Sequence, residues 1–203
     1  MPRSPFRRTS PVNTDQGLIL LTLARNAIAQ ALDQRIRPHA QPPWLDEPGA
    51  AFVTLSQRGE LRGCIGSLEA RRALRADVED NAQAAAFRDP RFAPLGLREY
   101  ADTDIEVSVL SALTEIEFAG QQQALAELRP GVDGVVLEYG ARRGTFLPQV
   151  WEQLPEPHEF LAHLKQKAGL PAAFWDEEIK LWRYTVTKWR EQDYDAAFAR
   201  SRA

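Results

Sequence analysis

Apolar residues recur at helical spacing at Leu18, Leu21, Ala24, Ile28 and Leu32, and Thr14 or Asp15 stands ahead of them as a cap, so the pattern predicts a first helix. Pro38 and the run Gln41-Pro42-Pro43-Trp44 are read as its end and as a linker, because proline removes a donor and disfavours helix before it. The rhythm then changes to that of strands. Ala51 to Leu55 reads as one strand and Leu61 to Leu68 as its return, with Gly59 in the turn free to take positive φ. Residues 71–87 read as a helix with Leu74, Val78, Ala82 and Ala85 inward, stopped by Asp89-Pro90. A short helix near Leu97–Tyr100 leads to a long strand from Asp104 to Glu117.

The same order then returns. After a helix at 121–129 and a Pro130-Gly131 turn, Val135 to Tyr139 and Thr145 to Leu147 form a second hairpin. A helix over about 157–168 carries Phe160, Leu161, Leu164 and Ala168, with Gly169 just past its end and Pro171 beyond. A short aromatic helix at Phe174-Trp175 precedes a last strand, Ile179 to Trp189. Hairpin, helix, strand thus occurs twice. Strands mixed with helices, without strict βαβ alternation, point to an α+β fold. One shared, mainly antiparallel sheet would satisfy the edges of both hairpins. The expected organisation is a flexible basic tail over 1–14, a single domain over 15–190 with halves of roughly 15–130 and 131–190, and a polar C-terminal tail over 191–203.

Composition narrows the classes. The 203 residues are 44% hydrophobic and 26% charged, ordinary for a globular chain, and a net charge of −3 argues against a dominant basic nucleic-acid surface. The lone Cys64 cannot form an internal disulfide, and His39, His158 and His163 lack zinc-site spacing relative to it, so neither metal nor cofactor is expected. The apolar run Leu18 to Leu23 is broken by Thr22 and too short to span a bilayer. The leader carries Arg3, Arg7 and Arg8 with no apolar stretch directly behind them, unlike a signal peptide. The expectation is a cytoplasmic protein without membrane attachment.

The densest chemical signal is Leu61-Arg62-Gly63-Cys64-Ile65-Gly66. Glycines bracketing a thiol let a ligand or another backbone come close. Cys64 is then a nucleophile or ligand contact, with Arg62 beside it favouring a thiolate or holding an anion. The plain structural reading makes Cys64 a small buried hydrophobe and the glycines a bulge or a tight crossing. Glu106 and Ser108 lie opposite the apolar positions of Ile105-Glu106-Val107-Ser108-Val109, so Glu106 is a candidate acid or base if that face lines a cleft. Arg71, Arg72 and Arg75 share a helix with Asp77, Glu79 and Asp80, a mixed-charge solvated face.

The string Leu61 to Gly66 resembles the hallmark of the AMMECR-one domain family, whose prokaryotic members are called AmmeMemoRadiSam system protein A. The resemblance continues through Asp89-Pro90-Arg91-Phe92, Ile105 to Ser111, Arg143-Gly144 with Phe146 to Val150, Phe160-Leu161, and Lys167-Ala168-Gly169-Leu170. It implies an α+β domain with two related halves around a barrel-like sheet flanked by helices. The motif positions it marks are Arg62, Gly63, Cys64, Gly66, Asp89, Arg91, Glu106 and Gln149. Two departures stand out: Lys165 occupies a position where family members often carry a second cysteine, and residues 151–155 differ from the common pattern.

The resemblance also implies association with a Memo-like protein and a radical S-adenosylmethionine enzyme in a multi-protein modification system. The expected role is a substrate-binding or adaptor subunit. One alternative is a catalytic subunit using Cys64 and Glu106, with Arg62, Gly63, Gly66, Asp89, Arg91 and Gln149 binding. Another is a component that binds RNA or a nucleobase.

Overall fold

The computed structural model describes residues 14–198. The basic tail expected over 1–14 lies outside the described residues except for Thr14. Helix α1 (Thr14–Ala31) buries Leu20, Leu21, Leu23, Ala24, Ala27 and Ile28. It ends before the proline linker, where Asp33 takes φ 55°. A 3-10 turn (Pro43–Asp46) and the short strand β1 (Pro48–Gly49) follow. Next come β2 (Ala51–Gln57), β3 (Glu60–Gly66), β4 (Arg72–Ala73), α2 (Leu74–Phe87), α3 (Leu97–Tyr100) and β5 (Asp104–Leu110). Gly59 turns the β2–β3 hairpin at φ 85°, as its position between the two strands predicts.

The chain continues through β6 (Thr114–Ile116), α4 (Gln121–Glu127), β7 (Gly134–Tyr139) and β8 (Arg142–Phe146). After a 3-10 turn (Pro148–Glu152) come α5 (Pro157–Lys167), β9 (Lys180–Tyr184), β10 (Val186–Arg190), a 3-10 turn (Glu191–Tyr194) and α6 (Asp195–Phe198). No helix forms at Phe174-Trp175; Phe174 N closes a turn on Pro171 O. The expected C-terminal tail is ordered through Phe198, because Glu191 and Phe198 are buried and hold the segment in place.

The fold is α+β, but the single barrel-like sheet does not form. Among the described residues there are two open four-stranded sheets, ordered β10-β5-β2-β3 and β6-β9-β7-β8, and a two-stranded β1-β4 ladder. The strand expected over 104–117 is two, β5 and β6, in different sheets, and the last expected strand likewise divides into β9 and β10. The chain accordingly forms two compact units, divided at other points than 130/131. Unit one runs to Val109 and resumes at Lys188; unit two is Leu110–Thr187.

The repeat is deeper than an order of elements. Each unit places its hairpin, its crossover helix and its next strand in the same strand order. Leu55 opposes Gly63 in unit one and Leu137 opposes Gly144 in unit two. Both glycines sit where the crossover helix passes. A Cβ on Gly63 would lie 2.2 Å from the Ala85 carbonyl oxygen of α2, and one on Gly144 3.0 Å from Ala168 N just past α5. In unit one α1 and α2 cover Val53, Leu55, Ile105 and Val107. In unit two α5 and the 3-10 turn cover Val135, Leu137 and Leu181 with Phe160, Leu161, Leu164 and Trp151. Full burial of each such side chain contributes about 1.5–3 kcal/mol.

Candidate functional site

Strand β3 is the outer strand of the unit-one sheet, and its free edge at Cys64 is closed by side chains. Cys64 N donates to Asp89 Oδ2 at 2.9 Å, and Arg91 Nη2 donates to Cys64 O at 3.2 Å. Asp89 and Arg91 are themselves paired, Nε to Oδ1 at 3.0 Å and Nη2 to Oδ2 at 2.7 Å. The Arg91 guanidinium, helped by the Cys64 and Arg91 backbone N–H groups and opposed by burial, holds the Asp89 carboxyl well below the usual carboxylate range. The Asp89-Pro90-Arg91 motif therefore supplies the donor and acceptor that a fifth strand would have supplied.

Arg62 does not flank the thiol as the sequence led us to expect. A bulge opposes Leu55 to Gly63 and Ser56 to Leu61, leaving Arg62 without a cross-strand partner. Its Nε donates to Glu99 Oε1 at 3.0 Å and its Nη2 to Ala93 O at 2.8 Å, with the Phe92 ring centroid 5.8 Å from the guanidinium carbon. The bond from Arg62 holds the Glu99 carboxyl below its ordinary value. Arg62 thus fastens α3 and the preceding loop to the hairpin. The glycines do not admit a guest either: Gly63 makes room for α2, and a Cβ on Gly66 would lie 2.2 Å from the Phe52 ring. Gln149 belongs to unit two, exposed on a 3-10 turn.

What remains is a polar row across three strands. Register pairs Cys64 with Thr54 and Thr54 with Glu106, on the sheet face opposite the core residues Val53, Leu55, Ile105 and Val107. Thr54 Oγ1 donates to Cys64 Sγ at 3.3 Å. Two strand spacings separate Cys64 from Glu106, about 10 Å, so the thiol and the carboxylate do not act on one atom directly. Glu106 is held from β10, where Arg190 Nε donates to Oε2 at 2.6 Å and Lys188 Nζ lies 3.7 Å from Oε1, and from its own strand, where Ser108 Oγ donates to Oε1 at 3.3 Å. The bond to Glu106 raises the Arg190 guanidinium above its ordinary value.

Beside the row lies a depression of 320 Å³ lined by Thr54, Ser56, Leu61, Asp104, Glu106 and Arg190, with Gly59, Ile105, Glu191 and Gln192 completing it. Sequence reasoning missed Thr54, Ser56, Lys188 and Arg190. Alternation carried the signal: Thr54 and Ser56 alternate with Val53 and Leu55, and Lys188 and Arg190 flank the buried Trp189. Unit two does not repeat the row, since Thr145, Val136 and Trp182 occupy the corresponding register positions. Lys165, the departure noted above, is buried in unit two with Nζ donating to Phe174 O at 2.9 Å, and burial pushes its ammonium pKa down. Among the described residues no three His, Cys, Asp or Glu side chains cluster as metal ligands, and no helix is long and apolar enough to cross a membrane.

The chain as a whole is similar to known proteins. The AMMECR1 family model matches residues 21–189, and the chain belongs to that family. A protein of Methanothermobacter thermautotrophicus is 36% identical over 187 residues, covering 90% of this chain and 97% of its own length. Protein MJ0810 of Methanocaldococcus jannaschii is 35% identical, covering 87% of this chain and 90% of the relative. The crystal structure of the uncharacterised protein PH0010 from Pyrococcus horikoshii superposes with a TM-score of 0.70 at 34% identity, covering 87% of this chain and 92% of that one.

Proposed function

We propose that the protein is a binding or adaptor subunit that holds a small polar ligand on the open face of the unit-one sheet and presents it to partner enzymes. The observation that carries this reading is the ion-paired row. Glu106 is clamped by Arg190 and approached by Lys188, an arrangement suited to recognising a ligand's charges. The Cys64 thiol has the Thr54 hydroxyl as its side-chain hydrogen-bond partner, and that hydroxyl donates to sulfur. Among the described residues a thiol so held has no hydrogen-bonded base beside it, which favours contact over nucleophilic attack.

The family resemblance supplies the partners: a Memo-like protein and a radical S-adenosylmethionine enzyme, acting together in a cytoplasmic modification system. Capture of these two recombinant partners on the immobilised full chain tests the reading. Wild type captures at least one of them, and Glu106→Gln and Thr54→Val weaken capture about tenfold, the effect of losing one well-placed contact in an interface. Absence of capture by wild type, or capture indifferent to both variants, overturns it.

A further inference from the structure

The outer strands of the two hairpins are finished differently. In unit one the outward N–H and C=O of Cys64 are taken by Asp89 and Arg91. Thr145 holds the matching place on β8, the outer strand of the unit-two sheet, one residue past the crossing glycine. Its backbone direction follows from the register. Tyr139 faces Arg142 across the turn Gly140-Ala141, so the bonded pairs of this ladder are Tyr139 with Arg142, Leu137 with Gly144, and Val135 with Phe146. Thr145, opposite Val136, falls between two of them and points its N–H and C=O away from β7. Among the described residues no loop or side chain bonds these groups, and the Thr145 hydroxyl is turned to Tyr184 OH at 3.2 Å. The segment after α5, Gly169-Leu170-Pro171-Ala172, has no charged side chain to do there what Asp89 and Arg91 do after α2.

Two cations beside this edge have no carboxylate partner among the described residues. Exposed Arg142 donates to Gly169 O, and exposed Lys167 has its Nζ 4.9 Å from the Phe146 ring centroid. Alternation puts Arg142, Gly144 and Phe146 on one face of β8. The acids nearby are placed otherwise. Glu138 stands between Arg143, at 2.9 Å, and Lys180 of β9. Asp176 and Glu178 act on Tyr139 from the segment leading into β9, which flanks β7 on the side away from β8.

We propose that the β8 edge takes an acidic, extended segment of a partner protein as a fifth strand. Thr145 exchanges both backbone bonds with one residue of that segment. The neighbours of that residue fall beside Gly144 and Phe146, where their carboxylates meet Arg142 and Lys167. A second copy of β8 fits less well, because self-pairing sets the Arg142 and Lys167 of both copies along one seam. The added strand completes unit two as Asp89 and Arg91 complete unit one. The edge shares no residue with the polar row of unit one.

Fluorescence-anisotropy titration of the full chain with two labelled peptides tests this, one a short alternation of glutamate and valine, the other of lysine and valine. The glutamate peptide binds, and the lysine peptide binds about tenfold more weakly or not at all. Thr145→Pro removes the outward N–H without touching the β7 ladder and weakens the glutamate peptide about tenfold. Thr145→Val keeps that N–H and leaves binding unchanged. Arg142→Gln combined with Lys167→Gln weakens the glutamate peptide several-fold and narrows the gap between the two peptides. Thermal melts check that each variant folds. Should Thr145→Pro fail to fold, hydrogen exchange in the wild type decides: the glutamate peptide slows the Thr145 amide and leaves the Cys64 amide as it was. Absence of binding, equal binding of the lysine peptide, equal loss in Thr145→Val and Thr145→Pro, or unchanged exchange at Thr145 overturns the assignment. A concentration-dependent dimer that Thr145→Pro dissolves gives the edge to a second copy and overturns it likewise.

Discussion

Arg25 and Glu191 meet inside unit one although 166 residues separate them. Arg25 Nε donates to Glu191 Oε1 at 2.8 Å and its Nη2 to Glu191 Oε2, while Nη2 and Nη1 also reach Thr103 O at 2.6 Å and Tyr100 O at 3.1 Å. Ile105 N donates to the same carboxylate at 3.1 Å. With Arg25 5% and Glu191 1% exposed, one ion pair joins α1, the loop before β5 and the end of β10.

Removing one member leaves the other charged and buried. Glu191→Ala is expected to destabilise by about 3–5 kcal/mol, the usual cost of breaking a buried pair from one side. Replacing both with Arg25→Met and Glu191→Leu should recover much of that. Urea unfolding of the three variants measures it. A loss under about 1 kcal/mol for Glu191→Ala would show that the pair does not hold the C-terminal segment.

Asp89 makes stability depend on acid. Its folded pKa lies below the unfolded value of 3.8. The unfolded chain therefore binds its proton first as pH falls, and the stabilisation present above pH 3.8 is lost as pH drops toward the folded value. Asp89→Asn should cost about 1–3 kcal/mol at pH 7, the effect of unmaking hydrogen bonds to a charged group, and should flatten the acid limb of the profile. Glu99, also shifted down, titrates in the same direction and leaves a residual slope. An unchanged acid limb in Asp89→Asn would count against the edge-closing role.

The two crossing glycines differ in how much room they leave. At Gly63 the obstacle is backbone at 2.2 Å; at Gly144 the nearest atoms stand at 3.0–3.2 Å and α5 can give slightly. Gly63→Ala should therefore exceed the ordinary cost of overpacking, about 1–3 kcal/mol, and Gly144→Ala should fall within or below it. Melting temperatures in the reverse order would refute the geometry.

Arg62 and Cys64 should separate in the same assay. Arg62→Ala is expected to lower stability by about 1–3 kcal/mol, because Glu99 and Ala93 O lose their donor. Cys64→Ser should stay within about 1 kcal/mol, since the half-buried position already has a hydroxyl neighbour in Thr54. Melts showing Cys64→Ser as the costlier change would restore the reading of Cys64 as a core residue.

Most elements are legible in the sequence because each rests on local pattern: α5 and Gly169, the two hairpins, and α4 all fall where periodicity and turn residues put them. The strand breaks after Leu110 and at Thr185 are not legible, because the apolar alternation runs through both without a proline or glycine to mark them. At the candidate site, Cys64 and Glu106 are visible by residue type. Arg62 is misplaced by the sequence because a bulge cancels the alternation that would put it beside the thiol. Asp89 and Arg91 read as binding residues from their motif, but their bonds go to the Cys64 backbone, a use that only the edge position of β3 explains.

Unit one is split in sequence while unit two is continuous, and synthesis reads the chain in one direction. All of unit two is synthesised before the strand that completes the other sheet is finished. Until Lys188 to Glu191 emerge, Arg25 has no counter-ion and β5 has an unpaired side. A chain made only as far as Thr187 therefore holds every residue of the second unit and only three complete strands of the first sheet. The residues that make the first unit whole are translated only after every residue of the second.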